Sequence, residues 1–87
     1  MGGEPLHPHN LFMTDLIITE VKKYYPNIKI YLWTGYTYEE LLDRCEKMLY
    51  NILDNIDVLI DGPFIQEQRD ITLPMRGSAN QRVIMYS

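Results

Sequence analysis

The stretch Val58-Leu59-Ile60, closed at once by Asp61-Gly62-Pro63, does most to narrow what this chain can fold into. Consecutive branched apolar residues without polar alternation read as a strand covered on both faces. Upstream, Ile28-Lys29-Ile30-Tyr31-Leu32-Trp33 is rich in β-branched and aromatic residues and closes on Thr34-Gly35, so it reads as a strand too. Between the two, Leu41, Cys45, Met48, Ile52 and Ile56 recur at helical spacing, with Leu42, Leu49 and Leu53 beside them. Thr37 and Glu40 form a capping box at the start of that stripe, which predicts a helix broken at most once. Strand, helix and strand in this order imply a parallel pair joined by a right-handed crossover.

The flanking segments extend this unit. Pro5, Pro8 and Asn10 keep the first residues out of regular helix, and Asn10 is placed to cap the helix after it. Met13, Ile17, Val21 and Tyr24, widened by Phe12, Leu16 and Tyr25, predict a helix that ends before Pro26 and has an apolar stripe for a sheet to cover. From Phe64 to Gln81 the chain is mostly polar and punctuated by Pro74 and Gly77, a connection long enough to suggest a functional loop. Arg82-Val83-Ile84-Met85-Tyr86 reads as a last short strand. The expected class is α/β, a small parallel sheet of about three strands with two or three helices.

A length of 87 residues allows one domain, residues 1–87, with a core that covers only roughly 60–65% of the surface of the unfolded chain. The net charge of −4, with no basic stripe, offers nothing to a phosphate backbone and argues against nucleic acid. The longest apolar runs, Leu16-Ile17-Ile18 and Val58-Leu59-Ile60, fall far short of the roughly 20 residues that cross a bilayer, and no signal pattern opens the chain, so a cytoplasmic protein is expected. Cys45 is the only cysteine, which leaves no disulfide framework and no multi-cysteine metal site, and its helical spacing predicts a small core residue.

In a parallel α/β sheet, ligands gather beyond the carboxyl ends of the strands. Gly2-Gly3-Glu4, Thr34-Gly35 and Asp61-Gly62 all belong at that edge, where backbone amides, a hydroxyl and two carboxylates would meet a ligand bearing a cationic amine and hydroxyls. The plainer alternative is that the glycines serve turns and the acids are solvated.

The blocks GGEPLHP, YLWTGYTYEEL, IDVLIDGPF and RGSANQRVI, in this order and across nearly the whole chain, resemble the C-terminal half of the anaerobic ribonucleoside-triphosphate reductase activating proteins of the radical S-adenosylmethionine family. The resemblance implies half of a partial barrel of strands and helices. It also implies S-adenosylmethionine as cofactor, and the large subunit of an anaerobic ribonucleotide reductase as the partner whose glycine is activated. In the family a 4Fe-4S cluster cleaves S-adenosylmethionine reductively, and the resulting 5′-deoxyadenosyl radical takes a hydrogen from that glycine. The family's GGE segment contacts the methionyl amino group, which carries over to Gly2, Gly3 and Glu4; Thr34 and Asp61 carry over by their strand-end positions. Arg76, Gly77, Ser78, Asn80 and Gln81 match the C-terminal signature, where pocket closure and partner contact are both open. The family's cluster ligands, spaced C-x3-C-x2-C, are not in this sequence, so the resemblance implies a fragment that is inactive alone, or a non-catalytic remnant or split half that binds a partner.

Other features have two readings each. His7 and His9 could share a metal on one face of extended backbone, or merely flank Pro8. Trp33 could stack on an adenine or pack at the sheet rim. Glu39, Glu40 and Asp43 could face a basic partner, or be first-turn acids favoured by the helix dipole. An open sheet edge and uncovered apolar area would also favour self-association.

Overall fold

The computed structural model describes residues 3–85; Gly2 of the expected site and Tyr86 of the expected last strand lie outside the described residues. Helix α1 spans Leu11–Tyr24, strand β1 Tyr31–Trp33, helices α2 and α3 Tyr38–Asp43 and Lys47–Asn55, strand β2 Val58–Asp61 and strand β3 Arg82–Met85. A single turn of 3₁₀ helix, Gln66–Gln68, interrupts the connection between β2 and β3. The sheet order is β1-β2-β3.

Strands β1 and β2 pair in parallel, Tyr31 opposite Val58 and Trp33 opposite Ile60, which is the expected βαβ unit. All four residues of β2 are buried, as an apolar run without alternation requires. The α/β class holds, but the sheet is mixed. Strand β3 runs antiparallel to β2, with Asp61 opposite Arg82 and Val58 opposite Met85. The cause lies in the connection: Gln81 Nε2 donates to Gly62 O at 3.0 Å, so the segment leaves and re-enters the sheet at one end. A chain re-entering there must run back along its neighbour, whereas a parallel third strand would need a second crossover.

Leu32 and Leu59, on one sheet face, pack with Leu11, Ile18, Leu41, Leu49, Ile52 and Leu53 into one core beneath the helices. Helix α2 opens on the predicted capping box: Glu40 N donates to Thr37 Oγ1 at 3.2 Å, and Thr37 N donates to Glu40 Oε1 at 2.7 Å. The break in the second helical stripe falls at Cys45, whose φ of 50° is left-handed. That turn shifts the helical phase, so Cys45 is exposed between α2 and α3 and is not the small core residue expected.

Two expectations for α1 need correction. Asn10 makes no side-chain cap; its Nδ2 donates instead to Glu4 O at 2.9 Å. The buried face of α1 is Leu11 and Ile18, while Phe12, Met13 and Ile17 of the anticipated stripe are 65%, 56% and 55% exposed. A helix whose apolar residues are spread around much of its circumference has no single phase to read, and here the remaining elements cover only one side of it. No helix among the described residues is long and apolar enough to cross a membrane.

Candidate functional site

The tip of β1 is built around Glu4. Its carboxylate accepts from Gly35 N at 2.5 Å through Oε1, and from Thr34 Oγ1 at 2.7 Å and Leu6 N at 3.0 Å through Oε2. Thr34 is buried, and its hydroxyl also accepts from Tyr36 N at 3.2 Å, so it orients Glu4 and has little left to offer a ligand. A Cβ on Gly35 would stand 3.3 Å from Glu4 Oε1, close enough that a side chain there would press on the carboxylate. Gly3 is exposed just before Glu4, and Asn10 closes the turn behind it. The structure thus brings Gly3, Glu4 and Thr34 together; Gly2 lies outside the described residues.

Asp61 has a different setting. It is fully buried, and its carboxylate accepts from Tyr38 N at 2.7 Å, from Arg82 Nε at 3.0 Å and from Arg82 Nη2. Arg82 Nη2 also donates to Glu39 Oε1 at 2.7 Å, completing a chain of charges from β2 through β3 to α2. Asp61, and then Glu39, push the guanidinium pKa above its ordinary value, while the Arg82 hydrogen bond holds the Glu39 carboxyl below the usual range. Glu39 is therefore neither part of a free acidic patch nor simply a first-turn acid. Asp61 ties the second strand tip to its neighbours from beneath.

Sequence reasoning missed Leu6, whose amide holds Glu4, and gave no partner to Asp61 or to Trp33. Trp33 is half exposed, donates from Nε1 to Met75 O at 2.7 Å, and lies near Tyr31 with ring centroids 6.5 Å apart. For Asp61 and Trp33 the one sequence signal was the order of the blocks, because their partners are distant along the chain. His7 and His9 meet edge-on with centroids 5.0 Å apart, and His9 N donates to His7 Nδ1 at 3.1 Å.

By sequence comparison the chain belongs to the family of 4Fe-4S single cluster domains, matched over residues 1–84. Within that class it is similar to the anaerobic ribonucleoside-triphosphate reductase-activating protein of Vibrio cholerae, 50% identical over 86 residues. The proteins of the same name from Pasteurella multocida and Escherichia coli are 43% identical over 86 residues and 38% identical over 82. These alignments cover 99%, 99% and 94% of this chain but 53%, 53% and 51% of the relatives, so the chain spans about half the length of the curated proteins it matches. No solved structure matches it.

The cluster in the family's description is a test for the residues present. Such clusters are held by cysteine thiolates, and this chain has one cysteine. Cys45 sits on an exposed link with its Sγ 3.8 Å from Leu42 O. Among the described residues no group of three or more His, Cys, Asp or Glu side chains could hold a metal ion. The donor set does not fit a 4Fe-4S cluster. Anaerobic treatment of the purified chain with iron and sulfide is expected to leave it without the visible absorbance of a thiolate-held cluster; a stoichiometric cluster surviving desalting would contradict this.

Proposed function

We propose that this chain is one folding unit that supplies the S-adenosylmethionine-gripping part of an anaerobic ribonucleoside-triphosphate reductase activator, with Glu4 receiving the methionyl ammonium. The observation that carries this reading is the state of the carboxylate. Three donors fix it at the strand tip, and an ionised carboxylate offers about four acceptor sites, so one remains for a cationic donor. Such a charge-assisted hydrogen bond is roughly twice as strong as a neutral one. Gly3, and by resemblance Gly2, let the ligand approach the backbone. Thr34 keeps Glu4 in place, and Asp61 supports the neighbouring strand tip instead of touching the ligand.

Bound S-adenosylmethionine would bring a sulfonium and an adenosyl group to this edge. The iron-sulfur ligands would come from other polypeptide, since the donors here do not fit a cluster. The relatives are named for activating an anaerobic ribonucleoside-triphosphate reductase, and that enzyme is the partner this reading adopts. A calorimetric titration of the chain with S-adenosylmethionine tests the reading: saturable binding that Glu4→Gln strongly weakens is expected, and no binding by the unaltered chain would overturn it. The second reading, a non-catalytic module that docks on a partner, is favoured by the exposed Phe12, Met13 and Ile17 on α1, and it predicts no affinity for S-adenosylmethionine.

A further inference from the structure

The segment joining β2 to β3 is stitched closed at its base. The buried side chain of Gln81 accepts at Oε1 from Gly77 N at 2.8 Å and Ser78 N at 3.2 Å, and its Nε2 donates to Gly62 O at 3.0 Å. One amide group therefore reads both ends of the connection. Ser78, fully buried, donates to Asn80 Oδ1 at 2.6 Å and accepts from Ile65 N at 3.2 Å, while Asn80 Nδ2 donates to Pro63 O at 2.7 Å. Arg76 Nη1 closes the knot on Gln81 O at 3.1 Å. Beyond it the chain turns through Met75, whose φ is a left-handed 63° and whose carbonyl meets Trp33 Nε1.

Trp33 is followed by Thr34 and Gly35, the residues that hold Glu4. Successive residues of extended backbone face opposite sides. The tip of β1 is therefore gripped from two sides, by Glu4 at Thr34 and by the connection at Trp33.

We propose that Gln81 is the positioning residue that holds residues 62–80 as a strap against Trp33, on the side of the β1 tip away from Glu4, where it would wall the edge a ligand approaches. The wall's role toward a ligand rests on S-adenosylmethionine binding at Glu4; the anchoring of the strap does not. The signature residues Arg76, Gly77, Ser78, Asn80 and Gln81 then share one task, anchoring the strap by an internal knot.

Gln81→Glu tests this, because it keeps the acceptor for Gly77 and Ser78 but turns a second acceptor toward Gly62 O. Ionised, that oxygen repels the carbonyl; protonated, it becomes an O–H donor and restores the bond. The charged groups around position 81 are Arg76, Arg82 and, beyond Arg82, Asp61, with Arg69 and Asp70 on the segment that pairs with Ser78 and Gly77. Trp33 is the sole tryptophan, so its fluorescence reports the strap directly. At about pH 7.5 the variant should show acrylamide quenching roughly twofold above the parent chain, returning to the parent value, read at the same pH, by about pH 3, below the ordinary glutamate range of about 4.3. Quenching equal to the parent at both pH values would overturn the assignment, and so would a rise that acid does not reverse, the mark of lost packing alone.

Should the variant not fold, hydrogen exchange on the parent chain decides: the Trp33 indole hydrogen and the Gly77 and Ser78 amides should exchange through one common opening. An indole hydrogen exchanging far faster than those amides would overturn the proposal. None of these readouts uses a ligand. A parent chain that fails to bind S-adenosylmethionine removes the ligand-facing role and leaves the anchoring, whereas unchanged Trp33 quenching removes the anchoring and leaves the binding.

Discussion

Replacing Asp61 with alanine is expected to lower stability by about 3 kcal/mol, the size of effect seen when one member of a buried ion pair is removed. Asp61 is fully buried and accepts from the guanidinium of Arg82 and from Tyr38 N at the first turn of α2. Its loss cuts the tie from β2 to α2 and leaves Arg82 with only the exposed Glu39 as a charged partner. The Arg82 side chain is 48% exposed, so water softens the loss and keeps the cost at the lower end of the range of roughly 3–5 kcal/mol for such pairs. In a domain whose whole stability is of order 5–15 kcal/mol, that removes a large share. Urea denaturation followed by circular dichroism measures it; an unchanged midpoint would show that the buried carboxylate does not hold the sheet to α2.

Glu39→Gln should cost far less, because that carboxylate is exposed. The pH dependence involves the same groups. Arg82 holds the Glu39 carboxyl low, and the Ile30 amide, aided by Lys22, holds Asp57 low. Their contributions are present above the ordinary carboxylate range and are lost as the pH falls through the lowered values.

Glu4→Gln is expected to weaken S-adenosylmethionine binding by about 100-fold, the loss of one charge-assisted hydrogen bond together with a misplaced donor. The amide keeps one acceptor oxygen but sets an NH₂ group against Gly35 N on one side or against Leu6 N and Thr34 Oγ1 on the other. Charge and orientation therefore fail together. Glu4→Asp retains the charge but withdraws it by one methylene from those donors, and should fall between the two. Calorimetry reads both, with thermal melts showing whether the tip itself has come apart. Equal affinity in Glu4→Gln and the parent chain would place the ligand elsewhere.

What the sequence revealed depended on how far each signal reached along the chain. The Thr37–Glu40 capping box spans three residues and appears as read. The buried run Val58–Ile60 carries its own evidence of two covered faces, and becomes the central strand. The direction of β3 could not be read, because it depends on Gln81 meeting Gly62 across a polar connection of no regular pattern. The buried face of α1 was hidden by its own composition, since Phe12, Met13 and Ile17 look no less like core residues than Leu11 and Ile18 do. Cys45 was misplaced because a single left-handed residue resets the helical phase.

At the strand tips the sequence located the edge but not the partners. Glu4 and Thr34 meet at the tip of β1, the edge to which both were assigned. Asp61 was assigned to the same edge by its place after a buried strand, yet its partner, Arg82, lies across the sheet in the register of a strand whose direction was unknown. Asn10 looked like a cap and serves instead as a brace behind Glu4.

The claim that an ammonium group docks on the carboxylate at the tip of β1 is tested most directly by monitoring the backbone amides in solution during a titration with S-adenosylmethionine. The Gly35 and Leu6 amides, both bonded to Glu4, should shift furthest and saturate with the calorimetric affinity. Shifts centred on the groove between α1 and α3, at Asp15, Asn51 and Asp54, with Gly35 and Leu6 unmoved, would contradict it.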